Sequence, residues 1–280
     1  MGELAKHMKK KTKKMILILL AIGIFAVSPL APYCLSLGAM GIYSHFEEKD
    51  SLMADRGISI EIPSAGGWYP FVMTFNGDSG FRRFCGDPSV RLSIMYNFPG
   101  FDLMKGCSRI YDTDSRYYNA FYGAYCVSGD FGFDDNGLID RQQAVLVPEY
   151  DMTHLVLRDM GMEVEDEVFK WSETPVSGEK GKRYPLAGYD GWQRIDADLT
   201  VNGVAHQRQE WFRNYIQYGS PGYDAADDFA PVQMHGRIYG RYFEEKDCGI
   251  FFYVLACDKE IIEEWEKEIM AVTTVSAGRT

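Results

Sequence analysis

The chain has 280 residues, 46% of them hydrophobic and 14% aromatic, which supplies enough apolar matter for a sizeable core and excludes a disordered chain. Its charge is uneven: beyond residue 43 there are 23 basic and 39 acidic residues, a net of −16, and such a surface repels phosphates and argues against a DNA or RNA partner. Six cysteines, at 34, 85, 107, 126, 248 and 257, show no C-x-x-C pair and no histidine at zinc-ligand spacing, which argues against a structural zinc site.

The first 14 residues form a basic tail with lysines at 6, 9, 10, 11, 13 and 14, and residues 15–43 carry no charge. A helix needs about 20 apolar residues to cross a bilayer, and flanking lysines favour the cytoplasmic side. The expectation is a single-pass transmembrane anchor over 15–43, cytoplasmic N-terminus, with the rest of the chain outside the cell membrane. Residues 15–27 alone also fit the apolar core of a signal peptide, and Ser36-Leu37-Gly38-Ala39 offers small residues for cleavage, so a secreted form is the alternative. Leu30, Leu35, Leu37, Met40 and Ile42 prolong the apolar character beyond export needs, while Pro29 and Pro32 are expected to kink or end the helix. Tyr33 stands where a lipobox has Gly or Ala, which argues against lipidation of Cys34. Outside the membrane disulfides are permitted, and Cys85, Cys107 and Cys126 are close enough in sequence to pair; buried thiols packing as small hydrophobes are the other reading.

Residues 44–56 read as a stalk, and the globular domain is expected over 57–272. Ile58, Ile60 and Ile62 alternate with polar residues as in a half-buried strand, and further strands are expected at 68–75, 90–98, 117–127 and 144–147. Residues 163–171 fit either period. The Pro, Gly, Ser and Lys of 172–185 predict an exposed loop and a candidate subdomain break. Next, Ile195, Ala197, Leu199 and Val201 alternate with polar residues and run into Asn202-Gly203, which predicts a β-hairpin through a type I′ turn. Its register sets His206, Arg208 and Glu210 against the apolar row, where polar groups need partners; these three form a candidate ligand pocket. Residues 250–256 (IFFYVLA) are apolar on both faces, as in a central strand, and Asp258 caps a helix through Met270 with Ile261, Ile262, Trp265 and Ile269 on one face. Residues 273–280 read as a flexible tail. The fold class is α+β: an N-terminal transmembrane helix, then a mainly antiparallel β-sheet with a C-terminal helix packed on it.

Gly77-Asp78-Ser79-Gly80 reproduces the nucleophile motif of trypsin-like serine proteases, but that family places its His and Asp far upstream and only 78 residues precede Ser79, so the motif reads as a turn. Ser177-Gly178-Glu179-Lys180 matches S-x-x-K without its companion elements. Asp134, Asn136 and Asp140 fit positions 3, 5 and 9 of a calcium loop, the only cofactor suggested; Gly132 and Gln143 occupy positions 1 and 12, where the strongest ligands belong, and Asn136-Gly137 equally suits a hairpin turn. Residues 223–228 (YDAADD) form a further acidic cluster, and Tyr111, Tyr117, Tyr118, Tyr122 and Tyr125 suit either a core or a ligand platform. These features suggest a membrane-tethered extracytoplasmic module with a non-catalytic role, binding a protein or cell-envelope ligand or assembling with envelope proteins. The competing class is a hydrolase using Asp196, Asp198 or a His206-centred site.

Overall fold

The computed structural model describes residues 2–28, 30–105, 107–173, 182–204, 213–219 and 229–278. Helices α1 (Gly2–Ala26), α2 (Leu30–Lys49) and α3 (Leu52–Arg56) precede β1 (Ile58–Glu61), β2 (Met73–Asn76), α4 (Asp78–Cys85) and β3 (Leu92–Asn97). The short hairpin β4 (Phe101–Asp102) and β5 (Cys107–Ser108) leads to β6 (Phe121–Ser128) and to helices α5 (Arg141–Ala144) and α6 (Leu146–Tyr150), which run into a π-helix at Asp151–Leu157. The remainder comprises β7 (Phe169–Glu173), β8 (Tyr184–Leu186), β9 (Tyr189–Asn202), α7 (Arg213–Tyr218), β10 (Pro231–Phe243), β11 (Cys248–Ala256), α8 (Lys259–Glu268) and β12 (Thr274–Ala277).

The protein is α+β. Its main sheet is antiparallel, ordered β2-β3-β6-β11-β10-β9-β7, with β8 on β9. β11 lies inside the sheet and is buried along its whole length, as its doubly apolar sequence requires. Phe251, Tyr253 and Leu255 face one core with Ile94, Tyr125 and the π-helix residues Met152 and Val156. Ile250, Phe252, Val254 and Ala256 face a second core with Ile261, Ile262, Trp265 and Ile269. The Asp258 carboxylate accepts the Glu260 amide and starts α8 as expected. Helices therefore cover both faces of the sheet, which explains the large share of aromatic side chains that are fully buried.

Several local expectations change. The hairpin at Asn202-Gly203 does not form. β9 alternates as predicted, but residues 197–201 pair with β10 on one edge and β7 on the other, so both edges of that row are taken, and residues 205–210 lie outside the described residues. Asn202 serves instead as a buried bracket: its amide donates to the carbonyls of Asp166 and Phe229, each at 3.0 Å, and its oxygen accepts the Val168 amide at 2.6 Å. Residues 144–147 lie in the α5–α6 segment, because the Asp140 carboxylate caps the amides of Gln142 and Gln143 and starts a helix. Residues 274–277 pair with β1 as β12. Among the described residues, which include all six cysteines, no disulfide forms; Cys107, Cys126 and Cys248 are buried.

The N-terminal region breaks between Ala26 and Leu30. No single helix among the described residues is long and apolar enough to cross a membrane; Lys11–Ala26 and Leu30–Arg56, bent by 79°, meet that requirement only as a pair. α2 is tied to the domain rather than standing off it. Tyr33 donates to the Trp68 carbonyl at 3.0 Å, Trp68 Nε1 donates to Ser36 Oγ at 3.1 Å, Ser44 Oγ accepts the Thr74 amide at 2.8 Å, and Glu47 accepts the Asn76 amide at 2.9 Å. Residues 33, 36, 40, 44 and 47 recur at helical spacing and form that docking face. The expected stalk is likewise packed, with Leu52 and Met53 buried.

Candidate functional site

A cleft of about 550 Å³ lies between the first turn of α2, the β4–β5 hairpin and α8. One wall is backbone. Residues 64–67 close a tight turn through a Gly67 amide to Ser64 carbonyl bond of 2.6 Å, with Ala65 at φ 41° and Gly66 at φ 69°. Two successive left-handed residues mark a type I′ turn, and an alanine in that region stores strain of the kind that gathers at functional sites. Gly100 packs so close to it that an added Cβ would sit 2.4 Å from the Gly66 carbonyl oxygen.

The opposite walls are aromatic and charged. Tyr33 stacks on Phe101 with ring centres 4.7 Å apart, and Tyr122 meets Trp265 edge-on at 4.9 Å. The Tyr122 hydroxyl donates to the Ser64 carbonyl at 2.5 Å, which joins the sheet to the turn. Tyr117 donates to Glu264 at 3.1 Å, and Arg116 reaches the same carboxylate at 3.2 Å. Burial and, second, that bond to Glu264 raise the Tyr117 phenol above its ordinary range. Arg109 lies over the Tyr117 ring at 5.9 Å, and Glu268 faces the same space. Among the described residues neither the Arg109 guanidinium nor the Glu268 carboxylate has a hydrogen bond or ion pair.

A second polar site is enclosed. Asp151, first residue of the π-helix, is buried and accepts the Tyr125 hydroxyl at 2.9 Å; Tyr125 stacks on Tyr253 at 4.3 Å. π-helical turns often occur at functional positions. Gln217 bridges the hydroxyls of Tyr96 and Tyr218, each at 2.9 Å, and Tyr69 donates to the Gln217 carbonyl. Burial raises the Asp151 carboxyl to about 7, with the Tyr125 bond opposing the rise. The adjoining space is about 20 Å³, room for about one water, so magnitude decides for the open cleft as the binding site.

The residues singled out in sequence are distributed elsewhere. His206, Arg208 and Glu210 lie outside the described residues, as do residues 177–180 and 223–228. The Asp134 carboxylate accepts the amides of Asn136 and Leu138 at 2.9 and 2.8 Å, and the Leu138 bond is the main cause of its lowered pKa. With Gly137 at φ 67° and a Phe133–Ile139 bridge, this segment is a tight hairpin turn. Asp140 caps α5, and the Gly132 amide donates to the Gln143 side chain at 3.1 Å. Among the described residues no group of three or more His, Cys, Asp or Glu gathers as metal ligands.

Asp78 of the G-D-S-G motif accepts the Leu92 amide at 2.7 Å and pairs with Arg91, while Gly80 passes under Tyr150 so closely that no Cβ fits. Asp196 is clamped by Arg194 and by Arg237 at 2.9 Å, and Asp198 meets His235 at 2.5 Å. Of the tyrosine group, Tyr117 and Tyr122 line the cleft, while Tyr111 and Tyr125 are core residues. Sequence reasoning missed Tyr33, Arg109, Glu268 and the turns at 65–67 and 99–100. The Gly-Gly and Pro-Gly pairs were the available signal, but nothing local indicates that they meet. No family model, curated protein or solved structure matches this chain.

Proposed function

We propose that the protein is a membrane-tethered extracytoplasmic binding module, anchored by α1 and receiving its ligand in the cleft beside α2. The observation that carries this reading is the contrast between the two N-terminal helices. The large apolar side chains of residues 15–27 are 46–86% exposed, directly after a lysine block, whereas α2 is hydrogen-bonded to the domain. Exposed apolar surface of that extent calls for a cover, and lysines on one flank suit a bilayer boundary. The twelve helical residues 15–26 rise about 18 Å, short of the roughly 30 Å hydrocarbon core, and snorkelling lysines with local thinning make up the difference.

The 79° bend then suits an L-shaped pair, α1 crossing and α2 lying in the interface with Leu35, Ile42 and Phe46 outward. Retention is favoured over cleavage after residue 39, since cleavage would remove the Tyr33 and Ser36 hydroxyls that bond Trp68. A binding role is favoured over hydrolysis because Asp196, the best placed strand carboxylate, is neutralised by two arginines. Purified full-length chain mixed with vesicles and floated on a density gradient tests the tether. The chain should rise with the lipid, and replacing Leu17 and Leu20 by Asp should leave it at the bottom; a wild-type chain that stays at the bottom refutes the reading.

A further inference from the structure

We infer that the cleft is built for a zwitterion whose ammonium and phosphate groups are separated by a short linker, the chemistry of a phosphoethanolamine head group. The inference rests on the reading of this cleft as the binding site. Its charges fall into two sets. Glu264 is consumed by Tyr117 and Arg116. Arg109 and Glu268 line the same space, oppositely charged, beyond salt-bridge reach of each other and, among the described residues, of any other ion. Two opposite charges without an ion partner, on exposed side chains lining one cleft, complement a ligand that carries both charges.

An arginine fork can hold a phosphate through paired N–H bonds, and an ammonium gains from the carboxylate and from aromatic faces such as Tyr33 and Tyr117. The backbone wall at residues 65–67 and 99–100 is free of bulky side chains, so a compact polar group can approach it. Tyr33 belongs to the first turn of α2, six residues after Val27, so the cleft opens beside the point where the proposed anchor ends. A lipid-borne head group and a soluble one share this chemistry.

The test uses the full chain in detergent, titrated by calorimetry with O-phosphoethanolamine, inorganic phosphate and ethanolamine. Saturable binding of the zwitterion, at least tenfold tighter than either half, is expected, and Arg109→Gln or Glu268→Gln should each weaken it tenfold or more. No saturable binding, equal binding of the halves, or two variants that bind like wild type overturns the inference. The wild-type comparison with the halves stands even where a variant fails to fold. Competition then separates the sources: phosphatidylethanolamine vesicles that displace the soluble ligand, where phosphatidylglycerol vesicles do not, identify a lipid source, and displacement by neither rejects it. A chain that binds the zwitterion but floats with neither vesicle refutes the tether and leaves the site standing; a chain that floats but ignores the zwitterion does the reverse.

Discussion

Asp151 is a buried carboxyl. Its pKa of about 7 lies above the ordinary carboxylate value because burial penalises the charged form. The folded protein thus holds this proton to higher pH than the unfolded chain, so the contribution is fully present below about pH 4 and is lost as pH rises through 7. Three units correspond to roughly 4 kcal/mol at 1.36 kcal/mol each. Asp151→Asn keeps an acceptor for Tyr125 and should match wild type at pH 4 yet be more stable by a few kcal/mol at pH 8. Denaturant titrations at both pH values would show this; parallel curves would contradict it. Ser36→Ala orphans the indole N–H of Trp68, a fully buried residue, and should cost about 1–3 kcal/mol in the same assay.

Arg237 joins the main sheet to α8. Its side chain is 9% exposed and ties β9 to α8 through Asp196, Glu263 and Glu266. Arg237→Met leaves Asp196 with one arginine and the Glu266 carboxylate without its cation, and should cost about 3 kcal/mol; the exposed Glu263 adds little. Adding Glu266→Gln should recover part of that loss, and strict additivity of the two changes would exclude coupling. The same elements show what a sequence exposes. The two apolar faces of β11, the alternation of β9 and the Asp258 cap of α8 are short-range patterns and were legible. Which strands flank β9 was not, since β10 lies some 30 residues on and its claim to that edge arises only when the sheet assembles. Nor was the cleft, whose walls come from residues 33, 65–67, 99–101, 109, 117, 122, 264, 265 and 268 and share no local pattern.

The N-terminal region divides between Ala26 and Leu30 into two helices bent by 79°. Removing residues 1–28 takes away exposed apolar surface and should leave the melting temperature within a few degrees while abolishing vesicle flotation. Removing residues 1–39 also deletes Tyr33, Ser36 and Leu37 from the docking face and should lower it by about 10 °C, since a loss of 3–5 kcal/mol shifts a domain of this size by that order. Equal melting of the two truncated chains would mean that α2 adds nothing to the domain.

The proposed arrangement of cytoplasmic tail, anchor and outer acidic domain is tested most directly in sealed spheroplasts of a bacterial host expressing the full chain, exposed to external protease and probed with antibodies to each end. The account predicts that the C-terminal domain is digested in intact spheroplasts while a short N-terminal fragment stays with the membrane. A domain that survives until the spheroplasts are lysed, or a chain recovered in the soluble fraction, would contradict it.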